Sequence, residues 1–141
     1  MIIAGIGCRR GALASEIEAA VAGALVSSGI ARERLDALAT HATKQDEPGI
    51  LALAERWALK LLCFTTSEMQ GVTSEVETVS ERVVQLKGVP SVAEAAALTG
   101  AGLDARLLAP RVTTEQAACA IAEGKGPLPV GKASFPQEPL P

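Results

Sequence analysis

The stretch Ile2-Ile3-Ala4-Gly5-Ile6-Gly7-Cys8-Arg9-Arg10-Gly11 decides how the rest of the chain is read. Residues 2–6 are apolar, uncharged and rich in β-branched side chains, and the glycine-rich segment Gly5–Gly11 follows. That pattern predicts a buried strand feeding a turn. Next, Leu13, Ile17, Val21 and Leu25 recur at every fourth position, with Glu16 and Glu18 off that line. The spacing predicts an amphipathic helix that ends near Gly29. Leu35–Thr40 reads as a second strand. Asp46-Glu47-Pro48 signals a helix start with Pro48 as its first residue, the helix running through Leu51, Ala54 and Trp57-Ala58. Leu61–Thr65 is a third apolar strand.

The second half is less regular. Thr66–Thr78 shows no period, and a short helix is expected from Ser80 with Val83, Val84 and Leu86 on its apolar face. Gly88-Val89-Pro90 breaks it. Ser91-Val92-Ala93-Glu94 has the form of a capping box, opening an alanine-rich helix that ends at Gly100 or Gly102. Ala105–Ala109 and Ala117–Ala122 read as strands, an antiparallel pair at the sheet edge. The order β-α-β-α-β, then helices, then two strands, predicts an α/β fold for residues 1–123. It is a three-layer α/β/α sandwich with a mixed, mostly parallel sheet of about five strands. Residues 124–141 hold five prolines and three glycines and are expected to form a flexible tail.

Composition narrows the function. The chain has 141 residues, 48% apolar and 21% charged, with a formal net charge of −3. It is too apolar for a disordered chain and too charged for a membrane bundle. The 26 alanines and only three aromatics, Trp57, Phe64 and Phe135, imply a core of small aliphatic side chains. The acidic balance and scarce aromatics argue against nucleic-acid binding. No apolar run nears the roughly 20 residues of a membrane helix. The opening Met1–Cys8 has no basic leader and is too short for a signal segment. Cys8, Cys63 and Cys119 form neither a zinc pattern nor a disulfide framework, which points to the cytoplasm. One histidine among scattered acids supports no metal site, and no cofactor is expected.

In open α/β sheets ligands bind at the carboxyl ends of the parallel strands. Three segments are expected to meet there: the Gly5–Gly11 turn, the Thr40–Glu47 loop and the Thr65–Ser67 loop. The spacing of Gly5, Gly7 and Gly11 suits an anion-binding turn. A dinucleotide would need an acid at the end of the second strand, where Thr40-His41 stands instead. Arg9 and Arg10 suit carboxylates, by bidentate pairing, or they are solvated arginines on a tight turn. Cys8, beside two arginines and a helix start, is expected to have a lowered thiol pKa, with His41 as a possible base; otherwise it is a small buried thiol. Lys44 and Glu47 form either a surface pair or a site in which Lys44 holds an anion and Glu47 takes a proton. Glu94 is either a cap partner of Ser91 or a site residue. No nucleophile elbow for a Ser-His-Asp triad is present.

Four of these segments, in order, resemble a known family. Gly5–Gly11, Ala39-Thr40 with Lys44 and Glu47, Gly88–Leu98, and Ala118–Ala122 are similar to motifs of the CobE proteins and of the C-terminal domain of CbiG, the cobalt-precorrin-5A hydrolase. The resemblance covers about residues 2–122. It implies cobalamin (vitamin B12) biosynthesis, in which CbiG opens a ring-A lactone of the corrin precursor and releases a two-carbon fragment. This chain, with no domain ahead of it, is expected to be the stand-alone form. The implied ligand is a corrin or precorrin intermediate, and other pathway enzymes are possible partners. The expected ligand-binding residues are Gly5, Gly7, Cys8, Arg9, Arg10, Gly11, Thr40, Lys44, Ser91 and Glu94, with Glu47 as candidate catalytic base. Family members often carry lysine after the proline of Leu107–Pro110; here Arg111 stands there and is not assigned to the site. A nucleotide-binding regulatory domain and a lactone hydrolase are the competing functions.

Overall fold

The computed structural model describes residues 1–69 and 91–126. The expected helix from Ser80, the break at Gly88-Val89-Pro90 and the tail beyond residue 126 lie outside them. Strand β1 (Ile2–Cys8) is the centre of the sheet, running two residues further than expected. It pairs in parallel with β2 (Ala37–His41), which pairs in parallel with β3 (Lys60–Phe64). Leu35 lies outside β2, at the end of a 3₁₀ turn, Arg32–Arg34. Helix α1 (Ala14–Ser28) follows β1, and Gly29 closes it in the left-handed region at φ 69°. Helix α2 (Pro48–Arg56) starts at Pro48 as expected. It stops before Trp57-Ala58, because Ala58 takes φ 54° while the next amide, Leu59 N–H, returns to Ala54 O at 2.9 Å.

Helix α3 (Val92–Ala101) is the alanine-rich segment, and Gly102 ends it. Strands β4 (Arg106–Leu107), β5 (Val112–Thr113) and β6 (Ala117–Glu123) complete a six-stranded sheet. The expected antiparallel edge pair is present as β4 and β6, with β4 outermost. β6 is internal, lying antiparallel along all of β1 from Ile2↔Glu123 to Cys8↔Ala117. Short β4 and β5 share its other side, β4 opposite its end and β5 opposite its start. Val112 and Thr113 are two residues without a periodic pattern, so their strand is set by β6 as a template and not by their own propensity.

The sheet separates two unlike cores. On one face Ile6, Ile17, Val21, Leu38, Ile50, Leu53 and Ile121 pack between the sheet and α1 and α2. On the other, the contact with α3 is built from Ala39, Ala93, Ala96, Ala97, Ala101, Ala120 and Ala122. Small side chains there let α3 lie close on β1. Gly5 allows the closest approach: a Cβ at Gly5 would stand 2.1 Å from Ala93 O and 2.6 Å from Ala97 N. Gly5 is thus strand interior under a helix, not part of a turn. Residues 124–126 are tied to the fold through Gly124 N–H to Met1 O, Lys125 N–H to Leu103 O and Gly126 N–H to Ala101 O. Among the described residues no helix is long and apolar enough to cross a membrane.

Candidate functional site

Because β1, β2 and β3 are parallel, their carboxyl ends, Cys8, His41 and Phe64, share one edge of the sheet. Helices α1, α2 and α3 begin at that edge. α1 and α2 do so by their connections. α3 does so because Gly7 faces Val92 and Ala93 while Ile3 faces Gly100, so it runs antiparallel to β1. Each helix start presents unpaired N–H groups and the positive end of the peptide dipole.

Glutamates answer the starts of α1 and α3, and a third, at the start of α2, answers the loop after β1. Glu16 Oε1 accepts from Leu13 N–H at 2.8 Å. Glu94 Oε1 accepts from Ser91 N–H at 3.3 Å and Ser91 Oγ at 3.0 Å, while Ser91 Oγ accepts from Glu94 N–H at 3.1 Å, completing the expected capping box. Glu47, only 5% exposed, reaches across to the loop after β1, and its Oε2 accepts from Gly11 N–H at 2.8 Å. The carboxylates are thus turned inward onto backbone donors. The guanidiniums of Arg9 and Arg10 are exposed, and Lys44 is half-exposed. Lys44 forms no ion pair with Glu47 or any other described residue, so the surface-pair reading does not hold.

Several expected site residues have structural work of their own. Thr40 is fully buried, and its Oγ1 donates to Ile6 O at 2.7 Å, tying β2 to β1 just before their ends. Gly7 faces α3 at ordinary contact distance, and Gly11 sits in the left-handed region at φ 86°, with open space where a side chain would be. Leu13, expected in the helix's apolar face, is 62% exposed beside this loop.

The expectation for Cys8 is reversed. Burial pushes its thiol above the ordinary value, Lys44 pulls it down less strongly, and Glu47 pushes it up. Arginine and helix-start effects do not prevail, because the half-buried Sγ lies against the α1–α2 core. His41 is not its partner. The imidazole contacts Thr43 through Nδ1 and Thr66 Oγ1 through Nε2, at 3.0 and 2.8 Å. Cys119 is buried and Cys63 half-buried. Burial raises both of their thiol pKa values. Among the described residues no group of three or more His, Cys, Asp or Glu is arranged to hold a metal.

Two contributions escape the sequence patterns. Arg111, left out of the site, brings Nη1 to 3.4 Å from Glu94 Oε1 and so joins the start of α3. Thr66 anchors His41 from 25 residues away. The hint for Arg111 was its charge at the position where similar proteins carry lysine. Thr66 lies in the Thr65–Ser67 loop expected at this edge, but nothing in the local sequence singled out its hydroxyl as a partner of His41.

Residues 2–122 match the family model described as Cobalamin synthesis G C-terminus. The chain belongs to this family. Among its relatives is Protein CobE of a Sinorhizobium species, 32% identical over 121 residues that span 86% of this chain and 79% of CobE. The structure of cobalamin biosynthesis protein chiG from Agrobacterium tumefaciens superposes with a TM-score of 0.74 at 38% identity, covering 89% of this chain and 99% of that one. A cobalt-precorrin-5A hydrolase of Priestia megaterium is 29% identical over 100 residues, 71% of this chain but 26% of the hydrolase. The cobalamin synthesis G C-terminal domain is thus a mixed, mostly parallel open sheet flanked by helices, a domain of cobalamin biosynthesis in both stand-alone and larger proteins.

Proposed function

We propose that this domain binds a corrin-ring precursor in the cytoplasm, gripping its carboxylate arms at the carboxyl edge of the sheet. The observation that carries the reading is the division of charge at that edge. The glutamates there are spent on backbone N–H groups, while Arg9, Arg10 and Lys44 face outward beside three helix starts. Corrin precursors carry acetate and propionate arms around a flat apolar ring. Several separated cations and N–H groups suit such a ligand better than one deep pocket for a single anion. Exposed Leu13 and Val92 supply apolar surface at the same edge. Glu47 acts as a positioning residue that fixes the Gly11 loop, and Ser91 and Glu94 fix the start of α3. The enzymes that supply or consume the intermediate are the protein partners this reading implies. No observation favours the nucleotide-binding alternative, since Gly5 and Gly7 face α3.

The test is optical titration with a corrin polycarboxylic acid, against ATP and NAD as controls. Arg9→Ala and Lys44→Ala each lose a charge-assisted contact, about 1.5–3 kcal/mol, so affinity falls roughly tenfold or more. Unchanged titration curves for both variants, with circular dichroism intact, overturn the reading. A hydrolase role is favoured by one feature: among the described residues Glu47 Oε1 has no partner, and it is the remaining oxygen that would take a proton from water. Mass spectrometry of a lactone-containing precursor after incubation with wild type and Glu47→Gln decides it. Lactone opening by wild type alone assigns Glu47 as base, and an unchanged substrate mass with intact binding assigns a carrier.

A further inference from the structure

His41 ends β2 and caps the 3₁₀ turn Ala42–Lys44, its Nδ1 accepting from Thr43 N–H at 3.0 Å. A ring nitrogen that accepts from a backbone amide carries no proton, so the imidazole proton is on Nε2. Nε2–H then donates to Thr66 Oγ1 at 2.8 Å, just beyond the end of β3. The ring is therefore a strut, held at one end by Thr66 and holding at the other the turn whose last residue is Lys44. From below, Glu47 N–H donates to Lys44 O at 3.0 Å, so the Lys44 backbone is fixed on both sides. Its ammonium makes no ion pair with a described residue, and the turn that carries it follows β2, whose end lies beside the end of β1 in the sheet, near enough for the charge to lower the Cys8 thiol pKa against the effect of burial. An unpaired lysine on a three-residue turn has many rotamers and a soft backbone. Restricting one of the two lowers what a ligand must order on binding.

We propose that His41 and Thr66 are positioning residues that hold Lys44 toward the end of β1, where it meets a ligand carboxylate. The inference rests on the binding reading for its ligand but not for its geometry. That separation is built into the test.

The variants are Lys44→Ala, His41→Ala, His41→Asn, Thr66→Val and the double variant His41→Ala/Lys44→Ala. Asparagine keeps a cap acceptor at position 41, and valine keeps the shape of Thr66 without its hydroxyl. The first readout needs no ligand: Cys8 alkylation by iodoacetamide across pH, located by peptide mass spectrometry. Lys44→Ala is expected to move the Cys8 midpoint to higher pH. His41→Ala and Thr66→Val move it the same way by less, His41→Asn restores it, and His41→Ala adds nothing in the Lys44→Ala background. A Cys8 midpoint unmoved in both His41→Ala and Thr66→Val, or a shift that adds to that of Lys44→Ala, overturns the inference. Should His41→Ala not fold, Thr66→Val and His41→Asn carry the comparison.

The second readout is titration with the corrin polycarboxylic acid. His41→Ala is expected to weaken binding by no more than Lys44→Ala does, roughly tenfold. It changes affinity by less than about twofold when Lys44 is already alanine. A coupled shift at Cys8 with affinity unmoved in every variant supports the strut and overturns the binding reading. An affinity loss in His41→Ala larger than that of Lys44→Ala overturns the strut.

Discussion

Alanine at position 5 tests whether the thin face of the sheet is as close as the structure makes it. The added Cβ would lie 2.1 Å from Ala93 O, 2.6 Å from Ala97 N and 2.9 Å from Ala97 Cβ, and the first two are backbone atoms that cannot rotate away. Relief requires α3 to back off β1 by about 1 Å, and a gap of that size forfeits roughly a quarter to a half of each dispersion contact. The contacts at risk are those of Ala93, Ala96, Ala97 and Ala101, all buried against the sheet. The cost belongs at the upper end for overpacking, about 3 kcal/mol. For a chain of this size that lowers the melting temperature by about 10 °C. Gly7→Ala is the matched control. Its Cβ would meet Ala93 N and Val92 Cβ at 3.6 Å, ordinary contact, and alanine restricts the unfolded chain. Its stability should be unchanged or rise by up to about 1 kcal/mol. Thermal melts followed by circular dichroism compare the two. A Gly5→Ala melt within about 2 °C of wild type, or equal melts for both variants, refutes the close packing of α3 on β1.

Three further outcomes follow from the same geometry. Glu47→Ala strands the Gly11 N–H and is expected to cost about 1–3 kcal/mol, whereas Glu47→Gln keeps an oxygen there and costs less; urea midpoints measured side by side check the order. Removing residues 124–141 should lower the melting temperature more than removing 127–141, because only the longer deletion takes the hydrogen bonds of Gly124, Lys125 and Gly126; equal melts for the two truncations contradict this. Cys119 is raised from an ordinary value of 9.0 by burial, so the folded state keeps its proton after the unfolded state has lost it. Its contribution to stability is complete below about pH 9 and declines as pH rises further, and Cys119→Ala should show a shallower alkaline loss in urea titrations at pH 8 and pH 10.

The elements legible in the sequence are those whose signals are local. β1 shows as an apolar run, α1 and its glycine stop as a period of four, and the start of α2 as Pro48. The start of α3 shows as Ser91 and Glu94, whose reciprocal hydrogen bonds are in place. What misled was a local rule answered by a distant partner. Gly5 looks like turn chemistry because glycine favours turns, but it is glycine because a helix 88 residues later lies on it. Val112 and Thr113 have no pattern of their own and become a strand because they lie in antiparallel register opposite Cys119 and Ala118 of β6. The antiparallel pair at the sheet edge was legible, but which of its strands is the inner one was not. Ala117–Ala122 is so poor in large side chains that nothing in it distinguishes a rim strand from one wedged between β1 and the β4–β5 pair.

The site follows the same division. Residue types at the strand ends were readable, since arginine, lysine and glutamate near a glycine-rich stretch need no knowledge of partners. Which charges remain available was not. That depends on contacts at long separation: Gly11 with Glu47 across 36 residues, His41 with Thr66 across 25, Glu94 with Arg111 across 17. Taken by residue type, Glu47 is a free base beside Lys44, and Cys8 is a thiol activated by arginines. Folding engages one oxygen of that carboxylate on a backbone amide and sets Cys8 against an apolar core, which raises its pKa. The balance at this edge is therefore not the sum of its side chains. The acids are drawn inward by backbone N–H groups at the helix starts of α1 and α3 and in the Gly11 loop, and the cations are left facing solvent, which is the charge division on which the proposed binding of an acidic ligand rests.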